Sequence, residues 1–255
     1  ICILFVEGEK IMNILIIGNG FDLAHGLPTR YGNFLDFCER ARRIYTYPED
    51  VSLNAYKNDN IDNWDMNDDI KNVLIETFDK RDCKKILNDN GTYNLKVTTS
   101  NKYLNEFYCH IGENTWLEYF FKCRSSIGEN WIDFEAEISK VIQVLDEAII
   151  VKKSGKELKE MMKEKHNILL DIHKASKGNM QRAFKDDTTL IDFAMFLNTE
   201  LGRLTRALEI YIVELIGKIP VAEKNVDIEN LNLDHVLSFN YSDTYERIYS
   251  KGKNV

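Results

Sequence analysis

Proline is scarce, at three residues in 255, and glycine is held to thirteen. Long flexible linkers are therefore excluded, and the chain reads as mostly folded and mostly helical. Positive charge is in deficit: 33 Lys and Arg against 41 Asp and Glu leave a formal net charge of −8. A constitutive nucleic-acid binder needs a basic face to neutralise phosphates, so that class is disfavoured. The local cluster Arg40, Arg42 and Arg43 reads as a solvated helix face. No secretory signal is present, and the apolar opening Ile-Cys-Ile-Leu-Phe-Val is too short to span a membrane. The five cysteines, Cys2, Cys38, Cys83, Cys109 and Cys123, are odd in number and form no CxxC pair. Neither a disulfide framework nor a structural zinc site is expected. A reduced, cytoplasmic protein without a metal is the expectation.

Hydrophobic residues at 44% and charged residues at 29% are the proportions of a globular domain rather than a disordered chain. Residues 13–18, Asn-Ile-Leu-Ile-Ile-Gly, form a short apolar run that suits a strand buried on both faces of a parallel sheet. Pro28 then sets a turn, and Thr29 is placed to cap a helix in which Tyr31, Phe34, Leu35 and Cys38 recur at helical spacing. Residues 46–70 and 88–101 are rich in turn formers and read as surface loops, with a helix at 67–79. Helical patterns follow at 102–125, 131–151, 155–176 and 187–217; the last carries an apolar stripe from Phe193 to Leu215 that belongs in a core. His235 to Tyr241 suits a second central strand, and Asp243 to Tyr249 a short helix.

Two strand–turn–helix units, 12–45 and 221–255, thus bracket a mostly helical insertion over 46–220. The expected fold is α/β, a Rossmann-like parallel sheet with a large helical insertion. Two strands do not make a stable sheet, so further strands are expected within the middle segment or beyond Val255. Glu7-Gly8-Glu9-Lys10, whose codons read as a ribosome-binding site, precedes Met12. Residues 1–11 are accordingly expected to be a translated leader. Lys251-Gly252-Lys253-Asn254 reads as a turn into another strand, so a C-terminal truncation is expected as well.

Gly18-Asn19-Gly20-Phe21-Asp22 directly follows the first strand. Glycines there let the backbone turn sharply and approach a phosphate. The signal is weak, because Leu23 leaves G-x-G-x-x-G incomplete and no Gly-Lys-Ser/Thr follows. On these residues alone, a nucleotide-binding turn and a plain strand-to-helix turn stand equal. Asp133 and Glu135, two residues apart at a helix start, are a poor metal pair. They either complement the helix dipole or turn one carboxylate towards a substrate. His166 and His173 have no further ligand at good spacing and read as a solvated face; His25 alone lies within the glycine loop.

Three motifs carry a family resemblance. The run Ile14-Leu15-Ile16-Ile17-Gly18-Asn19-Gly20-Phe21-Asp22-Leu23-Ala24-His25-Gly26-Leu27-Pro28-Thr29-Arg30-Tyr31 resembles the opening of the AbiH family of bacteriophage abortive-infection proteins. Trp131-Ile132-Asp133-Phe134-Glu135 resembles that family's W-x-D-F-E element, and Ser238-Phe239-Asn240-Tyr241-Ser242 its F-N-Y-T strand, with Ser242 in place of threonine. More distantly, Gly18-Asn19-Gly20, Gly26-Leu27-Pro28-Thr29 and Asn240-Tyr241 resemble the layout of sirtuin-like nucleotide-binding domains.

That second resemblance implies a nucleotide such as NAD as cofactor or substrate. Gly18, Asn19, Gly20, Phe21, Asp22, His25, Thr29 and Tyr241 would surround it, with Gly18 and Gly20 at the pyrophosphate and Asp22 at a ribose or phosphate-bound water. Asn240 would orient the glycosidic bond, with Asp243 standing in for the acidic residue that Ser242 replaces. No His-Gly follows Tyr241 to supply a base. The family implies a phage-derived trigger as a partner. An enzyme that consumes a nucleotide, a sensor that only binds one, and a helical interaction protein with a structural glycine turn all remain open.

Overall fold

The computed structural model describes residues 2–7, 10–58, 66–89, 91–127, 133–152, 167–176, 189–221 and 224–250, with the backbone alone at 2–7, 10–11, 125–127, 149–152 and 167. Strand β2, Lys10–Ile17, is the middle of a three-stranded sheet. Strand β1, Cys2–Glu7, lies antiparallel on one side, and β5, His235–Ser238, lies parallel on the other. The segment read as a leader thus contains β1 and the start of β2. The sheet is mixed, with one parallel pair: Ile14 opposite His235, Ile17 opposite Ser238. Burial also departs from expectation, since Leu15 and Ile17 are buried while Ile14 and Ile16 are half-buried. One face of β2 is therefore covered more completely than the other, and β5 is mostly exposed.

After β2 come α1, Asn19–Ala24, and α2, Tyr31–Thr46. Thr29 does not cap α2. Arg30 takes that position, and its N–H donates to Asn33 Oδ1 at 3.2 Å. The segment read as a loop over 46–70 holds a short helix α3, Leu53–Asn58, ahead of α4, Asp68–Asp79, which Asn67 caps as its Oδ1 accepts from Asp69 and Ile70 N–H.

The stretch read as turn-rich over 88–101 is the second half of a hairpin. Strands β3, Asp82–Leu87, and β4, Tyr93–Thr98, pair antiparallel as a separate two-stranded sheet, with Gly91 at φ +77° in the turn. Every residue of the hairpin strands except Cys83, Leu95 and Val97 is exposed, so its sequence carries little apolar alternation. The strands of the middle segment, β3 and β4, do not join the β2 sheet, whose third strand β1 lies in the segment read as a leader.

The helix expected over 102–125 is two, α5, Lys102–Ile111, and α6, Thr115–Ile127. Buried Asn114 makes the corner: its Nδ2 donates to Glu200 O at 2.8 Å and its Oδ1 accepts from Leu117 N. Then follow α7, Phe134–Lys152, and α8, Asn167–Ala175; the rest of the helix expected at 155–176 lies outside the described residues. Helix α9, Leu190–Glu209, begins at a reciprocal cap between Thr189 and Asp192. It runs on through a π-helical turn, Ile210–Leu215, and a 3-10 turn, Ile216–Lys218.

The stripe of α9 is core, as its periodicity requires: Phe193, Leu197, Leu204, Ala207, Ile210 and Tyr211 are buried against α2, α5 and α6. The three arginines are not a solvated face. Arg40 is 3% exposed, Arg42 donates to Ile111 O and pairs with Glu118, and Arg43 pairs with Glu39. A second, smaller core gathers Leu15, Ile17, Phe21 and Tyr249 beneath the sheet, beside α10, Val226–Glu229, and α11, Thr244–Tyr249.

Candidate functional site

Because β2 and β5 run parallel as neighbours, their carboxyl ends leave the sheet side by side. The pairing extends one residue further, with Phe239 N donating to Ile17 O at 2.9 Å. The segments Gly18–Asp22 and Phe239–Thr244 therefore meet at the carboxyl ends of the two strands, and the seam between them is the candidate crevice.

Gly18 precedes α1 in extended backbone, and Gly20 lies within that helix. A Cβ at either position would meet nothing within 4 Å. Neither a left-handed φ nor a crowding neighbour demands glycine there, in contrast to Gly26 at φ +73°. What these two glycines do is keep the surface bare. Asn19 is exposed and tied to Thr29, whose hydroxyl donates to Asn19 Oδ1 at 2.6 Å. Pro28 is fixed from below, because Tyr211 in the π-helical turn donates its hydroxyl to Pro28 O at 2.8 Å.

Asp22 is 2% exposed, and both carboxylate oxygens are spent across the crevice. Ser242 Oγ donates to Oδ2 at 2.6 Å, and Asn240 Nδ2 donates to Oδ1 at 3.3 Å. Thr244 Oγ1 lies 2.8 Å from Ser242 Oγ and completes the chain. Asn240 Oδ1 is left buried with no hydrogen-bond partner among the described residues. Phe21 packs on Tyr245 and Tyr249 in the small core. His25 has both ring nitrogens engaged, at 2.7 Å from Phe21 O and 2.7 Å from Tyr249 Oη, and that hydroxyl also accepts from Asn225 N.

Glu135, in the first turn of α7, joins from the helical body. Its Oε1 accepts from Tyr31 Oη at 3.1 Å and from Tyr241 Oη at 2.9 Å. Burial first, then the Glu135 charge, pushes the Tyr31 phenol far above its usual range; the hydrogen bond to Glu135, then burial, raises that of Tyr241. Asp133 instead caps α7, its Oδ1 accepting from Ala136 N at 3.0 Å. Trp131 and Ile132 of the same motif lie outside the described residues, as does His166.

The structure thus brings Asn240 onto Asp22 and Tyr241 onto Glu135, while the glycine turn lines the same edge. It does not bring in the side chain of Asp243, which is exposed and makes no hydrogen bond among the described residues; its backbone carbonyl opens α11 by accepting from Arg247 N. Sequence reasoning missed the hydroxyls of Ser242 and Thr244 and the Glu135–tyrosine clasp. The two-residue spacing of Asn240, Ser242 and Thr244 was the available signal.

A family model described as bacteriophage abortive infection AbiH matches residues 14–255, from the first residue of β2 that pairs with β5 onward. No curated protein and no solved structure gives a significant match. With both crevice loops and the helices between them inside the matched region, the chain belongs to the AbiH family of bacteriophage abortive-infection proteins.

Proposed function

We propose that this protein serves anti-phage defence by binding a nucleotide such as NAD in the crevice at the carboxyl ends of β2 and β5. Open α/β sheets take ligands at such an edge, where loops leave adjacent parallel strands. The observation that carries the reading is Asn240 Oδ1, a buried acceptor without a partner among the described residues, held in place by the Asp22 brace. Leaving such an atom unsatisfied costs about 1–3 kcal/mol, and a donor on a bound ligand recovers it. Gly18 and Gly20, bare without a structural need to be, give a pyrophosphate room to approach the backbone. This assignment matches the sirtuin-like layout in which an asparagine meets a nucleotide ribose. Asp22 then acts as a positioning residue, and Asn19, Thr29 and His25 hold the loop in shape.

Binding is favoured over rapid hydrolysis by a specific observation. His25, the histidine of the loop, spends both nitrogens on protein partners and is not free to act as a base. Loss of general-base help slows such chemistry by about 10²–10⁴. Titration calorimetry with NAD tests the proposal: saturable binding is expected, weakened at least tenfold by Asn240→Ala. Equal affinity in the variant, or no binding by the intact protein, refutes it. A parallel assay for nicotinamide release separates a sensor from an enzyme.

A further inference from the structure

We infer that Glu135 is the hydroxyl-recognising residue of this crevice, selecting a ligand that carries a sugar hydroxyl; the inference rests on the nucleotide reading above. A helix-dipole role alone would leave Glu135 facing solvent at the start of α7, and Asp133 already supplies the cap there. Glu135 does lie exposed, but it is also clasped from two sides. Tyr31 reaches it from the segment that Thr29 ties to the glycine loop, its ring stacked on Phe134 at 4.3 Å between centroids. Tyr241 reaches it from the residue next to Asn240. Both phenols donate to the same oxygen, Oε1, and Oε2 takes no hydrogen bond among the described residues.

Two donors on one oxygen fix the carboxylate's direction and leave its second oxygen to accept from something else. A carboxylate repels phosphate and accepts only from donors, so the ligand group it fits is a hydroxyl or an amine. Asn240 offers a second acceptor, Oδ1, one residue from Tyr241. One acceptor on Asn240 and one held by its neighbour Tyr241 suit a ligand with several hydroxyls, and the ribose of a nucleotide supplies them.

The experiment compares NAD with its two analogues lacking the 2′-hydroxyl of one or the other ribose, by titration calorimetry on the whole chain. The intact protein should bind one analogue about tenfold more weakly than NAD. Glu135→Ala should bind NAD as weakly as that analogue and no longer tell the two apart, while Asp133→Ala melts earlier but keeps the discrimination. Three results would overturn the inference: an intact protein that does not discriminate, a Glu135→Ala variant that discriminates as before, or one that melts normally yet binds neither ligand. Absence of any nucleotide binding by the intact protein removes the nucleotide reading as well, whereas binding with discrimination untouched by Glu135→Ala removes only this step.

Discussion

Asp22 shows how much one side chain organises here. A buried carboxylate is tolerable only if its oxygens are well satisfied, and Ser242 and Asn240 supply those donors from the far side of the crevice. Ser242→Ala should therefore cost about 1–3 kcal/mol in chemical denaturation, since a buried charge loses a donor. Ser242→Thr, which keeps the hydroxyl, should cost little. Gly20→Ala separates folding from binding. Alanine is the better residue inside α1 by about 0.5–1 kcal/mol, and its methyl meets open space, so thermal stability should hold or rise. NAD affinity should nevertheless fall at least tenfold, and an unchanged affinity would place the ligand elsewhere. That Gly18, Gly20 and Asn240 come together was legible, because a glycine turn and an asparagine following two apolar strands form a local pattern. The Glu135 clasp was not, because Tyr31 and Tyr241 lie far away in the chain.

At the scale of elements, long periodic stretches read well and tertiary corners did not. The stripe of α9 identified its buried face correctly, because burial of one helix face follows directly from a 3.6-residue repeat. The break between α5 and α6 was hidden, since it depends on Glu200, which is 4% exposed and accepts from Thr115 N at 2.8 Å while pairing with Arg203. Glu200→Ala leaves that corner without its acceptor and should cost about 2–4 kcal/mol, read as an earlier urea midpoint. A variant with the wild-type midpoint would show that the corner is held by apolar packing alone. The β3–β4 hairpin was overlooked for the opposite reason: exposed strands need no apolar alternation, and polarity was read as loop. The arginines of α2 were read as solvated because one-dimensional charge patterning does not reveal Ile111 O or Glu118 waiting on neighbouring helices.

For the whole molecule, two cores divide the work. The large helical core, rich in aromatic rings, carries most of the buried apolar surface, and the small core under β2 fixes the crevice loops. Tyr211 ties the segment after α1 to the helical body by donating to Pro28 O. Among the described residues no helix is long and apolar enough to cross a membrane. The buried phenols also set an alkaline limit. Burial raises Tyr45 to about 12 and Tyr56 beyond the usual range. These groups stay neutral in the folded chain while their unfolded counterparts ionise near 10. Folded stability is thus unaffected by them below pH 10 and is lost as pH rises from 10 towards 12. Denaturation midpoints should fall across that window, and a flat profile would contradict the burial of these rings.

In the proposed function, Asn240 meets the bound nucleotide through its unpartnered Oδ1. The most direct measurement is the side-chain amide resonance of Asn240 by NMR during titration with NAD, assigned through its loss in Asn240→Asp. A saturable shift of that resonance is expected, with the Asn105 amide, bonded to Thr99, staying where it is. An Asn240 amide that does not move at saturating NAD would rule out contact between this side chain and the nucleotide.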